Sequence, residues 1–551
     1  MYLTQNPVLQ HELLANLRRP RAFLLLGAYV ALLGVVVLLA WPQQERLDMA
    51  SPVEAQRLVG LFFFGQYLLA SLMAPSFAAG AITGEKERLS FEMLLASPLR
   101  PGAIVLGKLL ASLTHLAVLI FCSLPIVMLC LPLGGVGLYD VLAAYVAMIS
   151  TVGLFGMISL WASSFFGRTS AALVVSYLLI LPLAMVGVLV WNQLQQLGDL
   201  RLMVATTVVP IGCLCGALIL WRQASRRLLY PADLGSGGKE AIDLETEARD
   251  AVGLYIDRDG FPDNLFAPPK RTDFLEEGAN PIYDKEMRSE IFSGGTLMLR
   301  LVIQVSMGLA LLVMAWCLFL QPQFAPWHIA YVLLFSMLVG PVFSAGSVSS
   351  ERERQTLDLL LVTLITPAQM LWGKLLSGLR VSSVLTGFLM WPVVLACVMP
   401  IYWTQSVANL GTMLGYFVIV GLACVTTALT ALVCSTLFSK TSTSLIASYL
   451  TIAVLFLAPL AGRFFADTFY RGQPAAEAVA AASAASPFAA AFALPLQYDR
   501  TNNWDDPAAE QAQAKGEPVL FVAHVVWSLL YNGVLFLLLA WLFRARWRVA
   551  D

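Results

Sequence analysis

Apolar runs of twenty to thirty residues, separated by short polar islands, fill most of this 551-residue chain. About 20 apolar residues cross the hydrocarbon core of a bilayer as a helix. In lipid the backbone N–H and C=O groups must pair within the segment, so each run is predicted to be helical. Twelve runs qualify. In the first half they fall at roughly 22–41, 58–80, 103–131, 138–162, 169–191 and 202–222. In the second they fall at roughly 297–320, 327–348, 370–399, 408–435, 443–462 and 519–543. The third run of each half is too long for one span and holds prolines (Pro125, Pro132; Pro392, Pro400), which predicts a break or kink near its outer end. The eighth run ends in P-V-F-S-A-G-S, a small polar stretch expected to pack against other helices rather than lipid.

The polar islands repeat. Gly84–Leu110 reads G-E-K-E-R-L-S-F-E-M-L-L-A-S-P-L-R-P-G-A-I-V-L-G-K-L-L, and Ser350–Leu376 reads S-E-R-E-R-Q-T-L-D-L-L-L-V-T-L-I-T-P-A-Q-M-L-W-G-K-L-L. Without a gap, 10 of the 27 positions are identical, including Glu85/Glu351, Glu87/Glu353, Arg88/Arg354, Pro101/Pro367 and Lys108/Lys374. N-P-V-L-Q-H-E-L at Asn6 matches N-P-I-Y-D-K-E-M at Asn280, and S-S-F-F-G-R-T-S at Ser163 matches S-T-L-F-S-K-T-S at Ser435. The chain therefore reads as a parallel internal repeat, a short interfacial helix and six spans written twice. In the first copy of that short helix Val8, Leu9, Leu13, Leu14 and Leu17 share a face beside Arg18 and Arg19, the pattern of a helix lying in the membrane interface. The predicted fold is an all-α polytopic membrane protein with units at 1–227 and 280–551.

Composition supports this reading. Apolar residues make up 58% of the chain, charged residues 13%, and mean hydropathy is +0.75, against about 25% charged residues in soluble domains. The formal net charge of −1 gives no reason to expect a nucleic-acid partner. Residues 231–279 carry 12 acidic and 5 basic side chains with Pro and Gly, and read as part of an acidic linker over 228–279. Lys and Arg crowd alternate loops, which predicts both termini and both copies of the motif in the cytoplasm. An exterior insertion at about 463–518 has no counterpart of similar length in the first half. Eight cysteines lie scattered in apolar runs without a C-x-x-C, so neither disulfides nor a metal site is expected. The N-terminus does not read as a cleaved signal peptide.

No G-x-x-x-x-G-K-[ST] phosphate loop occurs, so no ATPase or other catalytic site is expected and energy must come from another chain. Lys108 and Lys374 are expected to snorkel to the inner interface, His115 to pack or hydrogen-bond between helices, and Asp140 to cap the fourth span. Ser176-Tyr177 and Ser448-Tyr449, at matching places in the fifth spans, are candidates either to line a central path or to pack between helices. In the motif, apolar Phe91, Met93, Leu94 and Leu95 among alternating charges suit a docking helix better than a free loop.

G-E-K-E-R-x-x-x-E-M-L-L-A-S-P-L followed by I-x-x-G-K-L-L resembles the segment between the second and third helices of ABC-2 type permeases, the membrane subunits of one class of ABC exporters. The N-P-[VI]-x-x-x-E opening resembles their interfacial elbow helix. The resemblance implies that Glu85, Lys86, Glu87, Arg88 and Glu92 form one docking site for an ATPase, and Glu351, Arg352, Glu353, Arg354 and Asp358 a second. It implies two copies of a separate ABC ATPase, with ATP and Mg on that partner and no cofactor on this chain. It also implies an exporter in a bacterial cytoplasmic membrane, and the few ionisable groups mid-span favour a lipidic or amphipathic substrate. The second copy departs from the pattern, with Ser350 for Gly84 and T-L-I for S-P-L, so the two docking sites need not be equivalent. Two rival readings remain: force transmission to a periplasmic partner through 463–518, and an ion-driven secondary transporter, which the scarcity of mid-span carboxylates opposes.

Overall fold

The computed structural model describes residues 7–17, 53–87, 90–130, 137–167, 169–194, 198–229, 280–289, 297–320, 324–353, 355–363, 365–397, 406–469, 479–494 and 518–546, with Gly27, Ala31 and Gly34 singly. Every element among them is helical. The chain divides into two compact units, Met1–Leu254 and Tyr255–Asp551.

The first unit opens with α1 (Pro7–Leu17), which packs on α5 (Pro101–Cys130). Between them run α2 (Val53–Ala78), the short α3 (Gly80–Glu87) and the five-residue α4 (Phe91–Leu95). Then come α6 (Leu138–Phe165), α7 (Thr169–Leu194), α8 (Gly198–Met203) and α9 (Val209–Leu229), the last two joined by a π-helical turn over Val204–Val208. α6 is the centre: α2, α5, α7 and α9 all pack against it, and Phe155–Ser164 is buried without a break. A helix in the middle of a bundle is apolar all round, as this one is. At its N-terminus Asp140 accepts the Gly137 N–H at 3.2 Å. Asp140 also pairs with Arg201, whose guanidinium lies 5.6 Å over the Trp191 ring.

The second unit repeats the order: α10 (Pro281–Ser289), α11 (Leu297–Met314), α12 (Ala325–Ser344), α13 (Ser349–Glu353), α14 (Leu357–Leu361), α15 (Pro367–Cys397), α16 (Ser406–Leu437), α17 (Thr441–Phe469), α18 (Pro487–Phe492) and α19 (Pro518–Arg546). α16 takes the central place among α12, α15, α17 and α19. α5 and α15 both begin at a proline, which lacks the N–H that a helix start leaves unpaired. α15 adds a reciprocal cap, with Thr366 N–H to Gln369 Oε1 at 3.1 Å and Gln369 N–H to Thr366 Oγ at 3.3 Å.

Among the described residues, ten helices are long and apolar enough to cross a membrane. Of the other two predicted spans, 22–41 lies outside the described residues except for three single positions. The span at 297–320 is α11 continuing into a π-helical turn, Ala315–Leu320, with a shorter apolar stretch over Gln304–Cys317. At Pro125 and Pro392 there is no break: α5 and α15 run through them to Cys130 and Cys397. A proline removes one i→i−4 bond, and packing in a membrane bundle satisfies the freed carbonyl without ending the helix. Pro132 and Pro400 lie outside the described residues.

The exterior insertion is drawn inward where it is described. Residues 479–494 hold a 3₁₀ turn, Ser483–Ala485, and α18, which packs on α12, α16, α17 and α19. Phe488 is 4% exposed and Ala490 and Ala491 are fully buried. Ser486 Oγ donates to the Phe456 carbonyl at 2.6 Å, His524 Nδ1 to the Ala484 carbonyl at 2.8 Å, and the Tyr416 hydroxyl to the Leu494 carbonyl. Run upon run of alanine gives a backbone slim enough to nest between helices. Ala481, Ala482 and Phe464 remain exposed; 470–478 and 495–517 lie outside the described residues.

Gly340 lets α12 and α16 approach closely: a Cβ there would collide with the Thr427 hydroxyl and meet Thr427 Cβ at 3.0 Å. Gly340→Val is expected to lower stability by about 1–3 kcal/mol through overpacking. Its melting temperature in detergent, compared with that of Gly346→Val at a position with nothing within 4 Å, measures this.

Candidate coupling site

The repeated motif begins where the second-span helix gives way to a short one. At that change the Ser163 hydroxyl of α6 accepts the N–H groups of Ile82 (3.1 Å) and Thr83 (2.9 Å). In the second unit Ser435 of α16 accepts those of Val348 (2.9 Å) and Ser349 (3.0 Å). The first N–H groups of a helix have no partner within it, and one buried serine supplies two of them in each copy.

The alternating charges then follow the helix ends. Lys86 Nζ reaches the carbonyls of Ser163 (3.3 Å), Ser164 (2.8 Å) and Phe166 (2.9 Å) at the C-terminal end of α6. Arg352 Nη2 reaches the Thr436 carbonyl at 3.0 Å, near the end of α16. Glu87 accepts the Thr169 N–H at 2.7 Å, where α7 begins. Glu353 accepts the Thr441 hydroxyl at 2.7 Å, where α17 begins. A cation at a helix C-terminus and an anion at the next N-terminus each complement the helix dipole. The E-[KR]-E order therefore pins the loop across the turn between the fourth and fifth spans.

Glu85 and Glu351 close the loop on its other side. Each accepts a hydroxyl five residues on, from Ser90 and Thr356, while the matching backbone N–H groups reach the Glu85 and Glu351 carbonyls at 3.0 and 2.9 Å. Lys108 Nζ lies 3.1 Å from Glu85. Lys374 Nζ lies 2.7 Å from Glu286 of α10, 2.6 Å from the Ser347 carbonyl and 3.8 Å from Glu351. Lys285 of α10 adds a pair to Glu351 at 2.7 Å. The expectation that Lys108 and Lys374 snorkel is thus corrected: they are 3% and 1% exposed. The carboxylates near them make a buried ammonium tenable where bulk water does not reach.

Above this clamp sit α4 and α14. Phe91 (7% exposed) and Leu357 (3%) point in, and Leu357 joins Ile282, Val348, Met370, Leu432 and Leu535 in one apolar cluster. Gln355, at φ 57°, turns the chain into α14 through the left-handed region. Glu92 and Asp358 are exposed, and beside them stand Met93 (80% exposed), Leu359 (71%) and Val362 (86%).

The predicted docking residues thus fall into two groups. Glu85, Lys86, Glu87, Glu351, Arg352 and Glu353 each bond within their own unit. Glu92 and Asp358 look outward. Arg88 and Arg354 lie outside the described residues. The sequence grouped all these charges in one docking site per copy and did not single out Leu359 and Val362. The in-register repetition of Gly-Lys in both copies was the available signal for the lysines.

The paired serines and tyrosines of the fifth spans are packed within their units. Ser176, Tyr177 and Ser448 are at most 1% exposed. The Tyr177 hydroxyl donates to the Leu72 carbonyl at 3.0 Å and Tyr449 to Leu338 at 2.8 Å, tying fifth span to second at matching positions. Ser176 and Ser448 donate to carbonyls four residues back, at 2.6 and 2.7 Å. The His115 side chain lies outside the described residues. One polar cluster has no counterpart: Gln66 Nε2 donates to Ser123 Oγ at 2.5 Å, and Ser123 meets the Tyr145 hydroxyl at 2.8 Å. The matching positions in the second unit are Val332, Leu389 and Phe417.

Two related bundles of apolar helices, each presenting a short helix on a loop clamped to its own spans, define a multi-pass membrane protein built to receive a partner. The model of the ABC-2 family transporter proteins matches residues 7–207 and again 240–546, and the chain belongs to that family. The family is the membrane component of an ABC system, not its ATPase. No curated protein and no solved structure matches the chain.

Proposed function

We propose that this chain is the membrane permease of an ATP-driven exporter, twelve spans in two fused six-span units, with two copies of a separate ABC ATPase docking on α4 and α14. The observation that carries the reading is the exposed apolar and acidic tip of each loop, Glu92-Met93 and Asp358-Leu359, held on a base whose other described charges are pinned to the unit beneath it. A loop that only obeyed the positive-inside rule would leave its charges in water and bury nothing. A tip with large exposed apolar side chains on a stiff base is what a partner can grip and push. ATP and Mg belong to that partner, and the tips and both termini lie in the cytoplasm of a bacterial cell. The cargo is lipidic or amphipathic, in keeping with mid-span polar groups that are hydroxyls, amides and imidazoles rather than carboxylates.

The test is the full chain carrying Glu92→Arg, Met93→Asp, Asp358→Arg and Leu359→Asp together. All four positions are exposed, so the variant is expected to insert and fold normally. Loss of interface hot spots worth about 2 kcal/mol would weaken ATPase binding roughly thirtyfold, read as lost co-purification from membranes. Undiminished co-purification of the ATPase with a correctly inserted variant would sink the assignment.

A further inference from the structure

In the second unit three segments far apart in sequence meet at one carboxylate. Glu351, in α13, accepts the hydroxyl of Thr356, the residue that leads into α14. It also faces Lys285 of α10 at 2.7 Å and Lys374 of α15 at 3.8 Å. On the far side of this junction α10 and α15 are bound at three further points. Asn280 Nδ2 donates to the Gln369 carbonyl at 2.7 Å, Lys374 pairs with Glu286 at 2.7 Å, and Arg380 Nη1 donates to the Tyr283 hydroxyl at 2.7 Å. The elbow helix α10 is therefore fastened along the first turns of the 31-residue α15 and moves with it. A lysine from each of these two helices reaches the loop that carries α14 at the same carboxylate, Glu351.

We propose that Glu351 is a positioning residue of the coupling machinery: the joint through which a load on α14 reaches α10 and the start of α15 as one body. Glu85 with Lys108, at 3.1 Å and at the matching place in the motif, is the half of this joint that faces α5 in the first unit. Packing alone would let the short loop shear over the elbow. A charge shared by lysines on two helices resists shear because displacement in either direction lengthens one of the two pairs. The inference rests on the docking reading above, and it gives a charge identical in both copies of the motif an inward role in transmission.

The test is hydrogen exchange on the full chain in complex with its ABC ATPase, with and without ATP-Mg and vanadate. In the unaltered complex, nucleotide is expected to change exchange both at 357–361 and at 281–289. In Glu351→Gln, which keeps the side chain's shape, the change at 357–361 is expected to persist and that at 281–289 to be lost. Lys285→Met, at a half-exposed partner, is expected to reduce the change at 281–289 without touching the fold, and it carries the test if Glu351→Gln does not fold. Asn280→Ala loosens the elbow's own cap but leaves the joint, and both nucleotide-dependent changes are expected to remain. A nucleotide response at 281–289 that survives both Glu351→Gln and Lys285→Met overturns the joint while leaving docking intact. No response at 357–361 in the unaltered complex overturns the docking reading, and the joint with it.

Discussion

Lys374→Met is expected to destabilise the second unit by about 3–5 kcal/mol, the range for removing one partner from a buried ion pair. The ammonium has no exposed surface, and the carboxylates it faces, Glu286 and Glu351, have side chains only 16% and 12% exposed. Methionine fills much of the same volume, so the loss is electrostatic: Glu286 loses its ion pair and the Ser347 carbonyl its donor. Lys285→Met supplies the control, because that lysine is 49% exposed and exposed pairs contribute about 0–1 kcal/mol. Thermal unfolding of both variants in one detergent measures the difference. Equal, small shifts in Tm would show that water reaches Lys374 and that its burial has no energetic consequence. Adding Glu286→Leu to Lys374→Met is expected to recover part of the loss, since an apolar pair leaves fewer stranded charges.

The second large effect is expected from the serines that receive two N–H groups each. Ser163→Ala and Ser435→Ala remove a fully buried acceptor without adding bulk. In each case two N–H groups at the start of the short helix are stranded, at about 1–3 kcal/mol apiece. The damage should be local. α3 or α13 should fray, and the exchange of amides 82–83 or 348–349 should rise well before that of the spans. Thr83→Ala and Ser349→Ala make the comparison, because those hydroxyls donate to carbonyls four residues back, Ala79 and Ala345, which already belong to a helical ladder. If Ser435→Ala protects amides 348 and 349 as well as the unaltered chain does, the serine is not their partner in the membrane.

The helical spans could be read in the sequence because lipid leaves the backbone no alternative. Twenty apolar residues have to fold as a helix wherever they sit, and the ends of α6, α7, α16 and α19 fall within a few residues of the expected places. Pro125 and Pro392 do not end their helices, because among packed neighbours one missing hydrogen bond is tolerated. The motif was legible as a unit but not in its directions. Alternation of charge along G-E-K-E-R does not say which helix end each charge will meet. That depends on the turn between the fourth and fifth spans, roughly eighty residues away, at Phe166–Thr169 and its counterpart. Burial of Lys374 depends likewise on a glutamate in the elbow, Glu286, which is nearly ninety residues from the lysine it meets. Periodicity reports what is local, and these contacts are not.

The cluster of Gln66, Ser123 and Tyr145, answered by Val332, Leu389 and Phe417, has a consequence for how such a chain can evolve. A permease assembled from two identical subunits shows every mutation twice, so a change that suits one side of its cargo is imposed on the other. Fusion removes that constraint. Here the parts that must bear load have stayed alike, down to the same serine, the same tyrosine and the same glutamate. At the three positions of this cluster the first unit carries polar side chains and the second apolar ones. A molecule with two unlike ends asks for that freedom.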